Sequence, residues 1–433
     1  MEIAVGELKS GTIGIGSPDA NLSAHELREV VEDALAHLPS GARVLAIVSD
    51  KTRDDNTDLL FPFAADYLSG RRVATLDALI AQGTHVPMTA KEKGEKLGTG
   101  DGRSIYGLGR IFDHHWNEPD ELVEIGELSA ARVGEITAGI YTKSIPLTIN
   151  RLVAADNYDY VLVFGATVPH EVVGFAGGAK YFFPGVAGPE LTHATHWLGA
   201  LAGIENTIGR VETPTRNLIE AAADHITPEI ICFTTVVTRN DDDRIRTHAL
   251  FAGDFRQSLR EAAEVSKAVH IKYTGRKYRS VVALLDEHYD ELWVGGKASY
   301  KLGGVIESGG ELIIYAPHLR CLSETHGTII ERFGYGVIQQ IQELVAESGE
   351  LEENLCVAAH LAHVAYAGRE IETGRIVPRY KITLASQIDE ETCRRVNLGF
   401  MDYRKFRLED YENDPDTLIV ERAGRDLYLV EPI

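Results

Sequence analysis

The sequence predicts an α/β protein of two α/β domains with mainly parallel sheets and a cleft between them. Three observations lead there. The chain has 433 residues, roughly three times a common single-domain length. Continuous apolar runs of strand length recur at Val44–Val48, Tyr160–Phe164, Ile230–Phe233 and Leu312–Tyr315. Such runs suit parallel strands covered on both faces. Helix-periodic segments separate them, for example Phe255 to Val269 and Ile329 to Val345, and strands alternating with helices indicate βα units.

Taken in order, Ser23-Ala24-His25-Glu26 before Leu27, Val30, Val31 and Leu35 reads as a capping box opening an amphipathic helix. The first buried strand ends in Ser49-Asp50, and Gln82–Pro87 reads as a loop after a helix. Leu191 to Leu201 reads as a helix, and the polar stretch Lys272–Lys277 as a boundary. One domain is therefore expected over residues 1–260 and a second over 275–395. Residues 400–433, with Thr417–Val420 as a strand, are expected to return to the first domain.

Asp plus Glu (65) exceed Lys plus Arg (43), for a net charge of −22. Without a basic face, binding to a nucleic-acid backbone is excluded as a main activity. An anionic small molecule remains possible as a ligand, since it needs only a few local cations. No apolar run approaches the roughly 18 residues of a membrane span, and Met1–Ala4 has no basic region leading into an apolar one. The four cysteines (Cys232, Cys321, Cys356, Cys393) form no CxxC pair, which fits a reduced, cytoplasmic setting.

The richest segment is Gly165–Gly185, GATVPHEVVGFAGGAKYFFPG. Gly174, Gly177 and Gly178 precede Lys180, a spacing unlike either the P-loop or the dinucleotide fingerprint. Glycines allow close approach of backbone to an anion, and a lysine adds a charge or a nucleophilic amine. A tight structural turn would use the same glycines. Phe175, Phe182 and Phe183 flank the loop, so a half-buried Lys180 is expected. His170 precedes it, and His193 and His196 follow on one helical face. Histidine is the usual acid–base group near neutral pH. No structural zinc spacing occurs. Ser49–Asp54 lies at the carboxyl end of the first strand, where open α/β sheets bind ligands. There Arg53 is suited to a bidentate carboxylate clamp. His85 sits in a second loop, and His114-His115 is a third candidate.

These residues resemble the nickel-dependent lactate racemase family. The resemblance rests on Asp50-x-Thr52-Arg53, on Gly83-Thr84-His85-x-Pro87, and on Pro169-His170 with Gly174-Phe175-x-Gly177-Gly178-x-Lys180 and Pro184-Gly185. His196 follows where the family has a histidine after its lysine, whereas Asp54 stands where a proline is usual. The match spans most of residues 40–225 and continues weakly past Lys297 and Gly309-Gly310.

The resemblance implies a nickel-pincer nucleotide as cofactor, attached at Lys180, held near Gly177 and Gly178, with His196 as the nickel ligand. It also implies His85 and His170 as the acid–base pair, with Arg53, Lys297 and Asp50 at the substrate. Asp50 would orient His85 or Arg53. The reaction implied is inversion at C2 of a 2-hydroxy acid. Proton abstraction at C2 is hard beside a carboxylate, whereas hydride loss gives a planar 2-keto acid open to return on either face. The partners expected are a small anionic 2-hydroxy acid and, transiently, the enzymes that make the cofactor. Two other readings stand beside this one. The first is the same chemistry on a sugar acid, malate-like or aromatic substrate shaped by Trp293, Tyr300 and Lys301. The second is a non-catalytic nucleotide-binding relative.

Overall fold

A computed structural model describes residues 11–99, 109–154, 156–240 and 244–433; Met1–Ala4, read above for a leader, lie outside the described residues. The chain divides into two units. The first comprises Met1–Val168, Val173–Thr195 and Val211–Val269; the second comprises Pro169–Val172, His196–Arg210 and His270–Ile433.

The first unit is built on seven strands: β1 (Thr12–Gly16), β2 (Arg43–Ser49), β3 (Thr75–Ala81), β4 (Ile111–Phe112), β5 (Tyr160–Ala166), β6 (Glu229–Arg239) and β7 (Ile245–Gly253). They lie in the order β1-β7-β6-β5-β2-β3-β4. From β6 to β4 all pairings are parallel, and β7 runs antiparallel to both β1 and β6. The continuous apolar runs of β2 and β5 are explained by cover on both faces. On one face, α1 (Ala24–Leu35) and α2 (Thr57–Gly70) bury Leu27, Val31, Leu35, Leu60, Phe61 and Leu68 against Val44, Val48, Leu162 and Phe164. The capping box of α1 forms as the sequence indicates, with Ser23 and Glu26 bonding each other's backbone amides. Phe164 and Phe233 stack across neighbouring strands at 4.9 Å. Next come α3 (Pro189–Ala202), α4 (Pro214–Ala223) and α5 (Phe255–His270).

Thr75–Ala81, which the sequence presents as the end of a helix, is instead β3. Its Leu and Ala residues favour helix intrinsically. Pairing with β2 from Arg43↔Thr75 to Ser49↔Ala81 buries Leu76–Ile80, and that tertiary gain overrides propensity.

The second unit contains β8 (Ile271–Tyr273), β9 (Tyr278–Leu284), β10 (Ile306–Ala316), β11 (Lys381–Ser386), β12 (Gly399–Asp402), β13 (Thr417–Val420) and β14 (Leu427–Leu429). Five of them form a wholly parallel sheet in the order β12-β11-β10-β9-β13. The expectation that residues 400–433 return to the first domain is corrected here. β13 pairs with β9 through Ser280↔Thr417 to Ala283↔Val420, and β14 pairs with β8. A strand on the open edge of the sheet completes that edge with the nearest apolar run, which this tail supplies.

Two excursions of the earlier chain also belong to this unit. Pro169 is bonded by Lys301, Glu205 pairs with Arg379, and Gly209 lies against Leu427 and Ile271. The short helix α6 (Lys297–Leu302) carries Lys297 and Lys301. The helix expected over Ile329–Val345 is two helices, α7 (Gly327–Phe333) and α8 (Ile338–Glu347). Gly334 at φ +69° ends the first, a left-handed conformation that no continuing helix accepts. Among the described residues, no helix is long and apolar enough to cross a membrane.

Candidate active site

In the first unit, β2 lies between β5 and β3, so the loops leaving their carboxyl ends are neighbours. Asp50 follows β2 and His85 follows β3, and they meet there: His85 Nδ1 is 2.5 Å from Asp50 Oδ2. The other oxygen, Oδ1, accepts from the Thr52 amide at 3.0 Å and the Thr52 hydroxyl at 2.5 Å. Asp50 is only 4% exposed. Burial pushes its carboxyl up, but the His85 imidazole, Arg53 and Thr52 outweigh this and hold it well below the usual carboxylate range. A permanent carboxylate at Nδ1 assigns the His85 proton to that nitrogen. Nε2 is then left as a lone-pair acceptor on a ring whose side chain is 36% exposed.

Arg53 stands on the same loop. Its carbonyl accepts from Lys96 Nζ at 2.8 Å, and Lys96 also pairs with Asp55 Oδ1 at 2.7 Å. Asp55, itself buried, accepts from the Ser49 hydroxyl and from the Thr57 amide at 3.1 Å. The loop backbone is thus pinned, while the Arg53 guanidinium has no hydrogen bond or ion pair among the described residues. Its charge acts on Asp50 and on Tyr181. That leaves a planar cation beside the His85–Asp50 pair, suited to a carboxylate.

Lys180 lies on the tight turn Gly178–Tyr181 and is half-buried, as its apolar neighbours imply. Two backbone bonds join its turn to the His85 loop: Gly83 N–H donates to Gly185 at 3.0 Å, and Gly185 N–H donates to Lys180 at 3.1 Å. Gly177 has φ +101° and Gly178 φ +57°. A Cβ on Gly177 would meet Thr167 Oγ1 at 2.8 Å, and one on Gly178 would meet the Phe255 carbonyl at 2.9 Å. Packing and φ therefore require both glycines, whatever else they touch.

Sequence reasoning missed the residue that holds this turn. Arg216, completely buried on α4, donates to the Gly177 carbonyl at 3.1 Å and to the Phe175 carbonyl. Burial pulls its guanidinium down to about 10, with Glu220 opposing. Nothing in Thr213-Pro214-Thr215-Arg216 distinguishes that arginine from a surface one.

The second unit carries the other residues named from the sequence. His170 is 7% exposed, and its Nδ1 accepts from the Val172 amide at 3.2 Å. The proton of its neutral ring therefore sits on Nε2, the reverse of His85. His196 is half-buried on α3, and Lys297 sits with Nζ 5.7 Å from the centre of the Tyr289 ring. Tyr300 and Lys301 do not shape an open pocket as the larger-substrate reading expects. Tyr300 is 4% exposed with its hydroxyl 2.9 Å from His360 Nδ1, and Lys301 is 4% exposed. Trp293 remains half-buried, its ring 4.3 Å from that of His360 and 4.6 Å from that of His326.

Two candidate histidines have structural roles. His114 is buried, with Nε2 3.0 Å from the Ala187 carbonyl, and burial lowers it to about 4. His193 packs edge-on against Trp116 at 5.7 Å. Among the described residues, no cluster of three or more His, Cys, Asp or Glu side chains is arranged to hold a metal ion.

An imidazole fixed by a buried carboxylate thus stands beside an arginine that has no hydrogen bond or ion pair among the described residues, at the carboxyl edge of the parallel sheet of an α/β protein. Residues 23–209 match the lactate racemase N-terminal domain. The family match is thus carried by that stretch of the chain. A crystal structure of a Thermotoga maritima protein is similar at 33% identity and a TM-score of 0.85, covering 94% of this chain and 98% of that one. The lactate racemase apoprotein of Thermoanaerobacterium thermosaccharolyticum shares the fold at 17% identity and a TM-score of 0.68, with 94% of this chain and 93% of that one covered. No protein of curated function matches the chain.

Proposed function

We propose that this protein is a racemase or epimerase that inverts C2 of a 2-hydroxy acid, using a nickel-pincer nucleotide. The observation that carries the reading is the His85–Asp50 pair beside Arg53, in a stretch that matches the lactate racemase N-terminal domain.

The residues present fit such a cofactor. The described side chains offer no metal cluster of their own, so the group would have to bring its own donors to the metal. What the chain contributes is a half-buried amine, Lys180, for attachment and a half-buried imidazole, His196, as ligand. A soft, planar donor set of sulfur and imidazole suits nickel(II). When bound, the nucleotide supplies a reversible acceptor for the C2 hydrogen as hydride.

The chain's own residues then manage charge and protons. Arg53 binds the substrate carboxylate through paired N–H donors, and Lys297 is the second cation assigned to the substrate oxygens. His85 Nε2 takes the hydroxyl proton as C2 loses its hydrogen, and the Asp50 carboxylate stabilises the imidazolium that forms. His170, entering as the imidazolium, gives a proton to the oxygen of the planar 2-keto acid when the opposite enantiomer is made, and is left as the neutral ring. The roles exchange in the reverse direction, as microscopic reversibility requires. The substrate is a small anionic 2-hydroxy acid, and the enzymes that make the nucleotide are transient partners.

The test is to produce the protein together with the cofactor-making enzymes. Intact mass and nickel content are measured first, and chiral chromatography then follows pure enantiomers of a panel of 2-hydroxy acids. Interconversion of one pair, tracking with the added mass, is expected. Full loading with no interconversion of any pair would overturn the reading in favour of a nucleotide-binding protein.

A further inference from the structure

Lys301 is a cation where the fold would ordinarily place an apolar residue. It is 4% exposed on α6, between the buried residues Tyr300 and Leu302. Taking an ammonium out of water is costly unless its donors are well used. Lys301 donates to two main-chain carbonyls: Nζ is 2.8 Å from the Pro169 oxygen and 3.1 Å from the Arg425 oxygen.

Both carbonyls are informative by position. Pro169 immediately precedes His170. Arg425 is itself anchored, with Nη2 2.6 Å from Asp286 Oδ2, just before β14 joins β8. Its neighbour Asp426 is partly buried, and burial raises its carboxyl while Lys272 and Lys301 oppose that. Lys301 also lies one helical turn after Lys297, so both ammonium groups arise from one face of α6. The Pro169–Val172 segment follows a strand of the first unit, yet it belongs to the second. Among the described contacts, the Lys301 bond is a direct polar reason for this.

We infer that Lys301 is a positioning residue, whose buried ammonium ties the carbonyl before His170 to the helix that bears Lys297. The carbonyl before the second acid–base histidine and the helix of the second substrate cation are then held by one ammonium. The catalytic part of this inference rests on the function proposed above; the anchoring part does not.

The experiment uses the full chain and two variants. Lys301→Met keeps the stem and removes the donors, and Lys301→Arg keeps a charge able to reach carbonyls. Hydrogen exchange is read on the cofactor-free protein at the Val172 amide, which donates to His170 Nδ1 at 3.2 Å. Amides in the β9–β10 ladder, such as those of Val282 and Ile314, serve as the reference for the unit as a whole. In Lys301→Met the Val172 amide should exchange at least 10-fold faster, with the reference amides unchanged, and Lys301→Arg should restore much of the protection. In the loaded enzyme, Lys301→Met should lower the single-turnover rate of C2 hydrogen loss at least 10-fold for the enantiomer that depends on His170, with little change for the other enantiomer. Unchanged Val172 exchange would overturn the inference. So would a rise of all amides together, which marks a merely structural cation. If Lys301→Met does not fold, Lys301→Gln, one bond shorter and unable to span both carbonyls, is read in the same way. A wild-type enzyme that interconverts no substrate counts against the proposed function alone, because the exchange measurement still decides the anchor.

Discussion

Replacing Asp50 by Asn tests whether the carboxylate sets the chemistry of His85 or only its place. The change is nearly isosteric, so its cost is worked from donors and acceptors. Asp50 presents two acceptor oxygens, one to Thr52 N–H and O–H and one to His85 Nδ1. Asn has a single oxygen. If it stays with the two Thr52 donors, the NH2 group faces Nδ1 and the ring must move its proton to Nε2. If it turns to His85, the NH2 group faces the Thr52 amide, leaving a buried donor without a partner. That conflict costs about 1.5–3 kcal/mol, so the first arrangement wins and the base-competent tautomer falls roughly 10- to 100-fold. The imidazolium also loses its counter-charge, which brings the expected loss in turnover to about 10²–10⁴-fold.

Nitrogen-15 spectra of the cofactor-free variant report the tautomer, and single-turnover kinetics of the loaded one report the rate. Retention of the Nδ1 proton with unchanged turnover would refute the reasoning. The same pair predicts an acid limb. A carboxyl held below its unfolded value contributes stability fully present above about pH 4–5, and this is lost as pH falls through the folded-state pKa. The stability gap between wild type and Asp50→Asn should therefore be flat from neutral pH to about 5 and close below 4.

His85→Ala and His170→Ala should each cripple single-turnover reduction by one enantiomer and spare the other, with opposite bias and losses of about 10²–10⁴-fold; equal losses for both enantiomers in both variants would remove the two-base assignment. Lys180→Ala should abolish the added mass and the nickel together, and His196→Ala should cost turnover far more than His193→Ala. Full cofactor retention in Lys180→Ala, or the reverse histidine ranking, would show the register to be wrong. Arg216→Met takes a donor from the buried Phe175 carbonyl and one of the two donors of the Gly177 carbonyl, which keeps the Lys180 amide, and removes the cation that most lowers the Glu220 carboxyl. Urea unfolding should show a loss of about 3–5 kcal/mol in the first unit, and a loss under about 1 kcal/mol would mean that the turn before Lys180 holds itself.

What the sequence determined by itself was local or compositional. The α/β class followed from apolar runs alternating with amphipathic helices, because a parallel strand buried on both faces has no polar positions to hide. The capping box at Ser23 was legible because both partners lie within three residues. The His85, Lys180 and His170 segments stood out because glycine, proline, histidine and lysine each restrict backbone or chemistry in ways that leave a pattern. Tertiary structure decided the rest. β3 reads as helix until pairing with β2 buries it, and the tail reads as unattached until β13 finds β9. Asp50 and His85 are 35 residues apart and become partners only because β2 and β3 are neighbours in the sheet. Arg216 and Lys301 look like surface cations in the sequence, since charge alone says nothing of burial. Each acquires its role from carbonyls far along the chain, 39 to 132 residues away. Such contacts leave no local periodicity, because they depend on which loops the sheet order places side by side.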